Sequence, residues 1–293
     1  MNGPWDVWSA CTPDCATHAV PRVRATETAL RCAAFAHAVR RALTDGERMA
    51  DPVRLRSHAR ALLSALGIRV EGAAESLVSP ESAGGPGTLI VVNHISWLDI
   101  PALLAVEPVT LLAKREVGGW PVVGGLARRA GTHFIDRTNP RQLHYLVGEL
   151  TDLLASGRSV AVFPQATTWC TADQGVFRRA TFQAAIDAGA PVRPVTIGYA
   201  QQGTPSTVAA FCGEDTFVAS LRRVLAARAL TVRVTAHPTL TADGDRLDRR
   251  RLAALAESAV LGGWMPAEAV GGAPVPGLPS PPRVKEPVAG RHV

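Results

Sequence analysis

The feature that most constrains this chain is a set of short runs that stay apolar from end to end. They are "TLIVVN", "VTLLAK", "SVAVFP", "PVTIGY", "TVAAFC" and "LTVRVTA", all between residues 88 and 236. A strand with one face in water alternates apolar and polar residues, whereas a strand covered on both faces does not. The runs therefore predict strands of a mostly parallel sheet, and the segments between them supply the cover. In "NPRQLHYLVGELTDLLASG", Leu143, Leu146, Val147, Leu150, Leu153 and Leu154 recur with helical period. Asn139 suits the N-cap of that helix, Pro140 its first turn and Gly157 its stop. Strands alternating with helices in this way predict an α/β layer architecture.

Ahead of the alternation lie two helical segments. "ATETALRCAAFAHAVRRAL" is alanine-rich with a basic end, and "VRLRSHARALLSALG" sets Leu55, Leu62, Leu63 and Leu66 near one face before Gly67. Such helices suit either packing on a core or lying on a headgroup layer. The expected organisation is a poorly ordered lead over 1–25, a helical segment over 26–70, the α/β domain over 71–263, and a disordered Pro/Gly-rich tail over 264–293.

Composition narrows the class without choosing a partner. With 47% hydrophobic and 19% charged residues the chain is globular rather than disordered. The net charge is +6, almost all of it arginine, since Lys114 and Lys285 are the only lysines. That balance fits a partner bearing phosphate or carboxylate: a lipid headgroup, an acidic carrier protein or a nucleic acid. Arginine richness also follows from GC-rich coding. No nucleic-acid motif or basic–aromatic interleaving is present, so nucleic acid is not expected. The cysteines are Cys11, Cys15, Cys32, Cys170 and Cys212, an odd number with no CxxC pair. Cys11 and Cys15 have no second pair or histidine doublet nearby in sequence, so neither a metal nor any other cofactor is expected and a reducing compartment is. No secretory signal pattern and no long uncharged apolar run occur, which predicts a cytoplasmic protein, with any membrane contact peripheral and on the inner face.

One of the apolar runs ends in a chemical pair. In "LIVVNHISWLDIP", His94 and Asp99 follow the strand directly, where open α/β sheets place their sites. Five residues of regular helix turn the chain by about 500° and would leave the two side chains about 140° apart. They can meet only if His94 precedes the helix and Asp99 lies in its first turn. A helix cap accounts for Asp99 equally well: it stands before "IPALLAV" with Pro101 in the first turn.

The neighbouring blocks decide more than the pair does. "NHISWLDI", then "LLAKREVGGWPVVGGLARRAGTHFIDR", "VAVFPQATTW" and "APVRPVTIGY" run in order from about residue 88 to 237. This half of the chain resembles the glycerolipid acyltransferases, whose best-known members are the 1-acyl-glycerol-3-phosphate (lysophosphatidate) acyltransferases. The resemblance implies a glycerol-3-phosphate acyltransferase-like α/β fold, commonly membrane-associated, and an O-acyltransferase. Such an enzyme moves a fatty acyl group from acyl-CoA or acyl carrier protein to an acceptor hydroxyl. It implies His94 as general base and Asp99 as its orienting partner, and Arg137 in "GTHFIDR" as the contact to an acceptor phosphate. Imidazole suits the first role near neutral pH, and a planar guanidinium suits the second. Lys114 is a weaker anion contact, and Arg178 and Arg179 are within reach of the same task. No GxSxG elbow is present, which favours direct transfer over an acyl-enzyme.

The third block departs from the family. Phe-Pro-Glu-Gly-Thr-Arg becomes Phe163, Pro164, Gln165, Ala166, Thr167 and Thr168. Glutamine drops a charge, alanine restricts a backbone position where glycine is free, and threonine removes a phosphate-pairing fork. With Gln165, Thr167 and Thr168 as substrate contacts, two acceptors fit. One is a less anionic lysolipid, such as lyso-ornithine lipid, or a specialised metabolite; the other is a lysophospholipid held by Arg137. A non-catalytic relative that binds acyl chains, a membrane or a carrier protein is the alternative. The intact pair argues against it and the altered block for it.

Overall fold

Leu89–Val92 shows how the sheet is built. All four residues are fully buried, yet they face opposite ways: Ile90 and Val92 join one core cluster, Leu89 and Val91 the other. A strand with period two and no polar side chain has to be covered twice. Each such side chain contributes about 1.5–3 kcal/mol by leaving water. The computed structural model describes residues 8–16, 21–72, 76–114, 118–119, 123–135, 143–241 and 248–262.

The strands are β1 Ile68–Glu71, β2 Leu89–Val92, β3 Thr110–Lys114, β4 His133–Ile135, β5 Val160–Val162, β6 Val192–Gln201, β7 Thr204–Pro205 and β8 Leu230–Ala236. They form one sheet in the order β1-β8-β6-β2-β5-β3-β4, with β7 paired to β6. From β6 through β4 all neighbours are parallel. The β6–β8 pair is antiparallel, as is the short β7 beside β6. The expected mostly parallel sheet is therefore present, with β2 near its middle.

The helices are α1 Ala25–Asp45, α2 Pro52–Ala65, α3 Asp99–Val106, α4 Val123–Arg129, α5 Leu143–Ala155, α6 Ala180–Asp187, α7 Phe217–Ala226 and α8 Arg249–Gly262. On one face α2, α3 and α7 bury Leu55, Leu63, Leu103 and Val224. On the other, α5, α6 and α8 bury Leu150, Leu154, Phe182 and Leu252. The N-terminal helices pack on this body: α2 lies on α3, with Leu55, Leu63 and Leu66 buried and Leu62 half-buried. Asp51, whose side chain accepts from the Arg54 amide, caps α2. Helix α1 is more loosely held, with only Ala38 and Ala42 buried. None of the described helices is long and apolar enough to cross a membrane.

Two expectations change. "TVAAFC" is not a strand: residues 207–212 form a turn and an irregular loop. Val208, Ala209 and Ala210 are buried all the same. The loop's carbonyls are satisfied by a side chain rather than a neighbouring strand. Arg223 donates from Nε to the Val208 oxygen at 2.9 Å and from a terminal nitrogen to Ala210 at 2.6 Å. The second change concerns the span read as a lead. Residues 13–15 make a 3-10 turn there, with Cys11 and Ala16 buried. Asn139, Pro140, Arg137 and the segment from 263 onward lie outside the described residues.

Candidate active site

Where β2 runs out of ladder, Asn93 extends it. The buried Asn93 side chain accepts from the Ile197 amide at 2.7 Å and donates to the Ile197 carbonyl at 2.9 Å. This ties the strand end to β6 and sends the next residue, His94, off the C-terminal edge of the sheet. The parallel strands β5, β3 and β4 end on the same edge.

Residues 93–98 cross from strand to helix without regular structure, and this unwound stretch brings the pair together. His94 Nδ1 lies 2.8 Å from Asp99 Oδ2. Asp99, fully buried, is the first helical residue of α3. Its Oδ2 also accepts from the backbone amides of Ile95 at 2.7 Å and Ser96 at 2.9 Å. Oδ1 accepts from the Tyr199 hydroxyl at 2.7 Å. The capping alternative is thereby corrected: Leu98 is the N-cap, and the Asp99 carboxylate turns back to the amides before the helix. With every neighbour of Asp99 a donor, His94 Nδ1 carries its proton toward the carboxylate. The Nε2 lone pair is left as the acceptor.

Tyr199 is a site residue that the sequence reading passed over. It closes the apolar run "PVTIGY" and looks like core, but a buried tyrosine hydroxyl needs a partner. Burial, and then the Asp99 charge, push its phenol far above the ordinary range, so it stays a donor.

The third block packs against the pair. Phe163 stacks on the His94 ring, centroids 4.1 Å apart and planes 23° from parallel. Gln165 is buried, accepts from the His94 amide at 2.5 Å and donates from its amide nitrogen to the Gln174 carbonyl. That second bond explains the glutamine: a glutamate would set a carboxylate against the Gln174 oxygen. Ala166 has φ +60°. The left-handed backbone that glycine adopts freely is thus kept here in spite of a side chain. Thr168 donates to the Phe211 carbonyl, and the Trp169 amide donates to the His94 carbonyl at 2.8 Å. Thr167 is half-buried in the same loop, while Arg178 and Arg179 are exposed. Lys114 is the last residue of β3, on the same sheet edge, and Arg137 follows β4 by two positions. The side chain of Lys114, like the whole of Arg137, is outside the described residues.

Known proteins are similar to this chain in sequence and in fold. A family model described as Acyltransferase matches residues 68–198. A lyso-ornithine lipid O-acyltransferase of Pseudomonas aeruginosa is 37% identical over 186 residues, 64% of this chain and 70% of that one. A 1-acyl-sn-glycerol-3-phosphate acyltransferase of Neisseria meningitidis is 35% identical over 175 residues, 60% of this chain and 67% of that one. The crystal structure of the 1-acyl-sn-glycerophosphate (LPA) acyltransferase from Thermotoga maritima superposes with a TM-score of 0.57 at 20% identity. The match covers 81% of this chain and 93% of that one.

Proposed function

The chain belongs to the glycerolipid acyltransferase family and is an O-acyltransferase; from that premise we propose that it acylates the free hydroxyl of a lysolipid, with His94 as general base. The acyl group comes from a thioester, acyl-CoA or acyl carrier protein. The acceptor oxygen attacks the thioester carbonyl carbon as its proton passes to His94 Nε2. The carbon–sulfur bond then breaks and the imidazolium returns the proton to the departing sulfur. Asp99 keeps the ring oriented and stabilises the charge it acquires. The observation that carries this reading is the 2.8 Å His94–Asp99 contact, with Asp99 held by Ile95, Ser96 and Tyr199. A binding protein has no use for a fixed imidazole with a free nitrogen.

For the acceptor, the third block favours a lyso-aminolipid such as lyso-ornithine lipid over lysophosphatidate. Both ends of the Gln165 amide are occupied internally, the Thr168 hydroxyl is spent on Phe211, and no arginine stands in the block. A desolvated phosphate would find no bidentate partner there. A lysophosphatidate acceptor would rest on Arg137 and Lys114. The reaction takes place at the cytoplasmic surface of the membrane, where a lysolipid resides and a net charge of +6 is attracted to anionic headgroups.

Transfer of a radiolabelled acyl group to each lysolipid, from either donor, tests the reading. His94→Ala is expected to lower the rate by about 10²–10⁴-fold. Transfer that survives His94→Ala would sink the assignment of the base. Preference for lysophosphatidate over lyso-ornithine lipid would move the acceptor contact to Arg137.

A further inference from the structure

Three of the five cysteines, from two distant stretches of the sequence, bring their sulfurs together at one point of the fold. Cys11 precedes the 3-10 turn Pro13–Cys15 and Cys15 ends it, a spacing within the two-to-four-residue intervals common between zinc-binding cysteines. Cys170 follows the third block, and its sulfur lies 3.3 Å from that of Cys11. The sulfurs of Cys11, Cys15 and Cys170 all fall within 4.8 Å of one another. Cys212, at the end of the loop of residues 207–212, is buried but lies outside that group of three. In a tetrahedral site with zinc–sulfur bonds of about 2.3 Å, the sulfurs stand about 3.8 Å apart. The 3.3 Å between the Cys11 and Cys170 sulfurs is close to that value.

We propose that Cys11, Cys15 and Cys170 form a three-thiolate zinc site that clamps the N-terminal turn onto the loop hydrogen-bonded to the His94 turn. The surroundings are those of a metal–thiolate cluster. The Cys170 amide points at the Cys11 sulfur at 3.4 Å, a contact that supports negative charge on sulfur. Gly213, directly after Cys212, takes φ +59°, and a side chain there would come within 3.1 Å of the Cys11 carbonyl. Only glycine lets the two segments approach so closely. Thiolate ligation favours a soft metal such as zinc. Three thiolates leave the fourth position of the metal to water.

The cluster is tied to the candidate active site. The Trp169 amide, next to Cys170, bonds the His94 carbonyl. The Gln174 side-chain oxygen lies 3.2 Å from the Cys11 sulfur, and the Gln174 backbone carbonyl receives Gln165.

The test uses the full chain without a polyhistidine tag, grown with added zinc. Wild type is expected to carry one zinc per chain by mass spectrometry of metals. Cobalt reconstitution should give thiolate-to-cobalt charge transfer in the near ultraviolet, with the intense visible bands of a tetrahedral centre. Cys15→Ser, at an exposed position, is expected to lower bound zinc at least fivefold, whereas Cys32→Ser, on the exposed face of α1, retains it. A chelator should lower the melting midpoint of wild type and leave that of Cys15→Ser unmoved. Zinc-free wild type with no cobalt spectrum overturns the proposal, as does a Cys11–Cys170 disulfide detected by loss of the two thiol hydrogens. Because the readouts are metal content and spectrum, failure of the acyltransfer reading leaves them unchanged.

Discussion

Asp99 has a heavier duty than orienting one ring. Three donors converge on Oδ2 and Tyr199 takes Oδ1, with the carboxylate itself fully buried. Tyr199→Phe keeps the shape and strands Oδ1. A hydrogen bond to a charged group is worth about 1.5–3 kcal/mol, and a loss of that size is expected in urea unfolding at neutral pH. Acyl transfer should fall far less than in His94→Ala, because three donors still fix the carboxylate. An equal loss would place Tyr199 in the chemistry itself. Ala166 poses the opposite case, a residue less suited to its backbone than the glycine it stands in for. At φ +60° an L side chain costs about 1–2 kcal/mol, and part of that returns as greater freedom of the unfolded glycine chain. Ala166→Gly is therefore expected to stabilise the protein by about 1 kcal/mol. A destabilised variant would mean that the buried methyl packs better than the strain costs.

The elements whose period or composition agreed with their burial were legible in the chain. Strands β2, β3, β5 and β8 lie within runs that read as strands, β6 contains one, and α5 carries the leucine face its spacing predicts. The edge strands β1 (Ile-Arg-Val-Glu) and β4 (His-Phe-Ile) include polar residues and lack the unbroken apolar run, and "TVAAFC" misled because burial without a ladder looks the same in sequence as burial within one. At the far end of the sheet, β6 and β8 hold a polar knot with its own pH dependence. The Thr196 hydroxyl donates to the Val260 carbonyl, so His237 Nε2, 2.7 Å away, must donate to Thr196. Burial, then the charge of Arg193, hold the His237 pKa below its usual value. The unfolded chain takes up this proton near pH 6.5 and the folded one resists it. Stability from His237 is thus fully present above about pH 6.5 and declines as pH falls below it toward the folded pKa. Urea midpoints measured from about pH 7.5 to 5.5 are expected to fall, and His237→Gln to flatten that fall. A wild-type midpoint constant across the window would remove His237 from the account.

For the whole molecule, what could be read depended on whether partners lie close in sequence. His94 and Asp99 are five residues apart, and their neighbouring blocks run in order along consecutive parallel strands. Tyr199 meets Asp99 across 100 positions, and Cys11 meets Cys170 across 159. Neither pairing leaves a local trace, since a tyrosine in an apolar run and two cysteines in a proline-containing turn are ordinary on their own. The site is also divided between the elements that supply it. The proposed base and its carboxylate come from a single strand-to-helix turn, whereas the loop packed against them follows a separate strand, β5. Substitutions in the loop after β5 thus change the surface beside His94, while the turn that holds His94 against Asp99 is specified by its own residues and by Tyr199.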